Sequence, residues 1–207
     1  MLLLAHTGIT LGVTELLRNA VSRSHSREND GSPANPVEYP AGQKVSAIAG
    51  RIDSFTNSLD LRIVLIGSLL PDIIDKPVGQ LLFRETFSNG RIFAHTLLFL
   101  ILITLGGYYL YNSRGRSWLL AFSFGTFTHL ILDQMWLEPR TLFWPIFGFT
   151  FDRIGLADWL LGILHSLTIE PQLYVPEIVG AAVLLWFAVE LVRRREVIYF
   201  LKWGRIN

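Results

Sequence analysis

Cysteine is absent from the 207 residues, which excludes disulfides and thiolate ligands, so a bound metal would have to be held by imidazole and carboxylate. Charge is scarce as well. Asp, Glu, Lys and Arg make up 17% of the chain, against roughly 25% in soluble domains. Neither sign is in excess, since the formal net charge is +1, so no basic surface suggests a nucleic-acid partner. No internal repeat is visible. The opening stretch MLLLAHTGITLGVTELLR lacks the basic n-region and small-residue cleavage site of a signal peptide, and is read as part of the mature chain. What is abundant is apolar: 51% hydrophobic residues, 13% aromatics and a mean hydropathy of +0.40. The balance points to lipid, and the length suits one membrane-embedded domain over 1–207.

Residues 96–113, TLLFLILITLGGYYLYNS, run without a charge for nearly the ~20 residues that a bilayer requires. After a turn at Ser113 to Ser117, WLLAFSFGTFTHLIL continues to Asp133, and so short a turn makes the two helices antiparallel neighbours. Pro176 and Glu177 read as the first turn of another span, IVGAAVLLWFAVELV, which stops at Arg193, Arg194 and Arg195. Residues 2–17 and 59–75 are shorter apolar segments, each a short span or a buried helix. FWPIFGF and LADWLLGILHSL read as interfacial or re-entrant pieces. The tract 22–57, rich in Ser, Asn, Pro and Gly, reads as a polar, mobile loop. The fold class expected is all-α, an integral membrane bundle of about five membrane-associated helices.

Alternating these helices across a bilayer leaves Lys76, Arg84, Arg91, Arg140 and Arg153 at one side and the other 13 of the 18 basic residues at the opposite side. The positive-inside bias makes the richer side cytoplasmic, with the C-terminus on it, in a multi-pass cell (inner) membrane protein. The same alternation sends His6, Asp72, His95, His129 and Asp133 to the other end of their helices.

His129 and Asp133 form HxxxD in THLILD, a spacing that puts both on one helix face one turn apart. Such pairs also arise by chance or as hydrogen-bonded glue, but an ionisable residue in an apolar span costs roughly 2.5–3.5 kcal/mol on insertion scales and usually has a partner or a function. Asp72 follows Pro71 in GSLLPDIID with Asp75 one turn later. The two carboxylates suit a metal and its water; equally, Asp72 suits a helix cap and Asp75 a pair with Lys76. His95, in NGRIFAHTLLF, and His6 are each ordinary boundary residues when taken singly. His25 reads as solvated and His165 as facing a polar gap. Together, His6, Asp72, His95, His129 and Asp133 supply the nitrogen and oxygen donors of a zinc-type site for one or two Zn2+ ions.

An early histidine, a GxLLPD segment, a histidine opening a long apolar helix and THxxxD followed by LEPRTLFWPIFG resemble the YdjM-like inner-membrane metal-dependent hydrolases over roughly residues 1–150. The order His6, Asp72, His95, His129, Asp133 is also distantly similar to that in zinc-dependent bacterial phospholipase C. The chain departs from the first pattern at Gly90, where the family often has a histidine, and in the three-residue step from Asp72 to Asp75, where two is common. The resemblance implies a metal-dependent hydrolase. Its expected substrate is a phosphoester or lipid-linked molecule among the membrane lipids, with Asp75 or Asp72 handling the water's proton and Arg91 holding an anionic group. A metal or proton transporter and a non-catalytic membrane scaffold are the rival readings. The first would need a polar path through the bilayer, and the second only hydrogen bonds between helices.

Overall fold

The computed structural model describes residues 3–30, 59–151, 161 and 169–206, of which 22–30 by their backbone alone. Among these residues there are helices and no strands. Helix α1 is Leu3–Asp30, α2 Leu61–Lys76, α3 Leu97–Arg114, α4 Trp118–Leu132, α5 the short Pro139–Leu142, α6 Pro171–Arg193 and α7 Val197–Trp203. A π-helical turn, Pro77–Leu82, continues α2 into the loop that leads to His95.

In space the helices follow the order α3, α4, α2, α1, α6, each packed on the next, and α1 also touches α4. Three glycine contacts permit this closeness. A Cβ on Gly67 of α2 would lie 2.4 Å from the Phe122 carbonyl oxygen, and one on Gly125 of α4 would lie 2.2 Å from that of Val64. Gly8 of α1 and Gly180 of α6 meet in the same way, each 2.1 Å from a carbonyl oxygen of the other helix. Small residues that bring backbones together are the usual seam where lipid removes the hydrophobic drive for helices to associate.

Burial is inverted relative to a soluble domain. His6, Thr10, Thr14, Ser68, His95, Thr126 and His129 are inside, while Leu102, Leu105, Tyr109, Leu185, Trp186 and Val192 are exposed. The apolar core that exists is small: Leu11, Leu61, Phe187 and Leu191 at one seam, and Leu59, Val64 and Ala121 at another. Buried hydroxyls join the helices instead, as in the 2.9 Å bond between Thr10 and Thr128. Among the described residues only α6, at 23 residues, is both long and apolar enough to cross a membrane by length and composition. Helix α4 is apolar but has 15 residues, about 22 Å at 1.5 Å per residue. The 18 residues of α3 end in the polar Asn112, Ser113 and Arg114.

Two sequence expectations are corrected. The polar tract does not begin a loop at 22, because α1 stays helical to Asp30; residues 31–57 of that tract lie outside the described part. Helix α6 starts at Pro171, so Pro176 sits inside it. Pro171 takes the first-turn place, where a missing N–H costs nothing. Turn Gly115–Ser117 between α3 and α4 is as short as expected, closed by Gly115 at φ 65°. At the far end from the site, α7 caps α2: Leu61 N–H donates to the Gly204 carbonyl at 2.8 Å, and Asp60 accepts from Arg62.

Candidate metal centre

The α2–α4 seam builds the site. Pro71 has no N–H to give the Gly67 carbonyl one turn back, so that oxygen loses its helical donor. The Thr126 hydroxyl of α4 lies 3.3 Å from it and supplies a substitute. One residue on, the Ser68 carbonyl accepts from His129 Nδ1 at 2.7 Å. The GSLLPD segment and the TFTHLILD segment therefore interlock through backbone contact at Gly67 and Gly125, which brings Asp72 beside His129.

His95 is held from the other side. Asp75, wholly buried, accepts the backbone N–H groups of Ile92 at 2.8 Å, Ala94 at 3.0 Å and His95 at 3.1 Å, and the His95 Nδ1 at 2.7 Å. With backbone N–H groups converging on both of its oxygens, Asp75 acts as the acceptor toward the ring, so the His95 proton lies on Nδ1. The carbonyl at His129 Nδ1 imposes the same tautomer there. In both rings Nε2 is left as a lone pair, and these two atoms face each other 3.2 Å apart.

Two carboxylates complete the group. Asp72 Oδ1 lies 3.7 Å from His95 Nε2 and 4.0 Å from His129 Nε2; Asp133 Oδ2 lies 3.8 and 3.9 Å from the same two atoms. The donor atoms of Asp72, His95, His129 and Asp133 all lie within 4.8 Å of one another, so the four could hold a metal ion. Two imidazole lone pairs and two carboxylate oxygens converging on one point are the donor set of a cation. A tetrahedron with bonds of 2.0–2.1 Å has edges of about 3.3 Å; the two Nε2 atoms already stand at about that separation, and the carboxylate oxygens, 3.7–4.0 Å from them, would close in by about 0.4–0.7 Å. Each histidine also has the outer partner, carboxylate or carbonyl, that metal-bound imidazoles use. The residues fit a divalent ion.

Around this centre stand balancing charges. Lys76 pairs with Asp72 at 2.6 Å, one helical turn away, and not with Asp75 as the sequence suggested. Arg91 contacts Asp133 Oδ2 at 3.0 Å and also Glu138. Burial opposes the guanidinium charge, but the Asp133 and Glu138 carboxylates outweigh it and hold the Arg91 pKa above its ordinary value. Arg91, a third exposed, and Glu138 form part of the rim. Glu138 was not foreseen as a site residue; its place in LEPR, just after the Asp133 turn, was the available signal. Ser68 was missed because it acts through its backbone.

Of the sequence candidates, the structure brings Asp72, His95, His129 and Asp133 together. His6 lies beside them, stacked on His129 with centroids 4.0 Å apart, but outside the four-donor group. Asp75 is behind His95, both its oxygens taken up, so it positions that ring and does not face the centre. His165 and the side chain of His25 lie outside the described residues.

A helical chain that buries imidazoles and hydroxyls, exposes its leucines and gathers His and Asp donors at one end of its helices is a membrane-type protein with a candidate cation centre. It belongs to the YdjM inner membrane protein family, which matches residues 43–197 and hence all four donors, though not α1. No curated protein and no solved structure matches the chain.

Proposed function

We propose that the protein is a membrane-bound metal-dependent hydrolase acting on a phosphoester, in a lipid headgroup or another lipid-linked substrate. The observation that carries this reading is the pair of Nε2 lone pairs 3.2 Å apart between two carboxylates. His95, His129, Asp72 and Asp133 would hold the ion, most suitably zinc, since imidazole and carboxylate are its ligands in the absence of thiolate. A divalent ion supplies Lewis acidity to such a site, making water a nucleophile near neutral pH and offsetting charge that develops at phosphorus.

The chain's own residues then divide the work. Asp75 and the Ser68 carbonyl fix the two rings. Asp72, with a 14% exposed side chain against 0% for both histidines and 4% for Asp133, is the most exposed of the four donors, on the side from which water would reach the ion. Arg91 and Lys76, both part-exposed beside the donors, offer positive charge to an anionic substrate. The inverted burial supports a single membrane-embedded domain of about five membrane-associated helices. Its donors would lie at the non-cytoplasmic end, with the C-terminus cytoplasmic, in contact with membrane lipids.

The test is hydrolysis by protein purified in detergent, across phospholipids and generic phosphodiesters, beside a chelated sample and His129→Ala. Turnover in the parent, lost in both controls, is expected. Metal-loaded parent that cleaves nothing across the panel would overturn the hydrolase in favour of a metal transporter.

A further inference from the structure

We infer that the chain holds a second divalent cation, between His6 and the Oδ1 atom of Asp133, with the Asp133 carboxylate bridging it to the first. This rests on the metal centre proposed above. His6 is 0% exposed, yet among the described residues neither Nδ1 nor Nε2 has an aligned hydrogen-bond partner. Buried polar atoms are nearly always partnered by protein, ordered water or an ion, so an imidazole with neither nitrogen satisfied, set beside a carboxylate, is an available ligand. Nε2 does lie 3.1 Å from Asp133 Oδ1, a close approach off the direction of an aligned hydrogen bond. That is the separation of two neighbouring donors on one ion.

The other half of the same carboxylate faces elsewhere. Asp133 Oδ2 lies 3.8 and 3.9 Å from His95 and His129 Nε2, so its two oxygens serve two different sets of imidazoles. His6 and His129 are stacked with centroids 4.0 Å apart and planes 20° from parallel. Near-parallel rings, each next to one oxygen of a shared carboxylate, set their ions apart by about the ring spacing. The metals of two-metal hydrolytic sites are separated by roughly 3.5–4 Å, where they clamp the attacking and leaving oxygens. A fifth donor to the first ion is the simpler alternative, but His6 falls outside the group whose atoms lie within 4.8 Å of one another. With two protein donors, the second ion keeps positions for water and for substrate oxygen. Helix α1, outside the matched residues 43–197, thereby contributes to the reaction centre.

The full chain in detergent, stripped by chelation and reloaded with Mn2+, tests this by bound-metal analysis and electron paramagnetic resonance. The parent should hold two ions per chain, with a spectrum showing exchange coupling through the carboxylate. His6→Phe keeps a ring stacked on His129 without a nitrogen, and should hold one ion with an uncoupled six-line spectrum and the parent's elution profile. The parent measurement stands even where that variant does not fold. One uncoupled ion in the parent would overturn the second site and leave the first standing; no bound ion would overturn both. Two ions in His6→Phe would remove His6 from the centre.

Discussion

Replacing Asp75 by Asn tests the role that the fold gives this carboxylate. The side chain keeps its size, but one oxygen becomes an NH2 donor directed into a nest of donors. Asp75 Oδ2 takes the N–H groups of Ile92, Ala94 and His95 and the His95 ring, while Oδ1 takes Ala94 N–H a second time at 3.0 Å. Asn retains the first oxygen in its best rotamer and loses both the second and the charge. Hydrogen bonds to a charged group contribute about 1.5–3 kcal/mol net, so the metal-free protein should lose stability of that order. The His95 tautomer also loses its anchor. Removing such an outer partner typically weakens metal binding by about 10–100-fold, equivalent to about 1.4–2.7 kcal/mol. Competition against a graded series of chelators measures the affinity, and thermal unfolding of the chelated protein in detergent measures stability separately. Affinity within about threefold of the parent would refute the positioning role. If turnover nevertheless fell by about 100-fold, Asp75 would be the general base that its spacing from Asp72 first suggested.

Replacing His129 and Asp133 together by Ala should remove most of the bound metal, measured on purified protein; full retention would mean that this helix face carries no ligands. Gly125→Ala should destabilise the chain by several kcal/mol and lower metal content, because its Cβ would meet the Val64 carbonyl at 2.2 Å and push α2 away from α4; an unchanged melting temperature would contradict the backbone contact. The absence of native cysteine makes topology directly measurable. Cysteines at Ser113 and Arg195 should label from the cytoplasm and one at Glu85 from the other side, and labelling of Ser113 and Arg195 from opposite sides would break the proposed arrangement.

Helix existence and polarity were legible because they depend on local pattern: the charge-free run after His95, the HxxxD spacing and the short turn at Gly115. The end of the bundle at which His6, Asp72, His95, His129 and Asp133 gather followed from helix alternation alone. Spacing could not tell Asp72 from Asp75, however, since i and i+3 share a helix face and only the loop at 91–95, folding back on α2, selects which carboxylate is enclosed. Nor could it reveal Ser68, whose carbonyl becomes an acceptor for His129 only through the Gly67–Gly125 crossing. Pro71 looked like punctuation in the sequence; in the fold its missing N–H leaves the Gly67 carbonyl to Thr126. Residue types determined what chemistry was available, through the lack of thiols and the few ionisable groups in apolar helices. Which atoms converge, and which merely hold them, was decided by close backbone packing between helices distant in sequence.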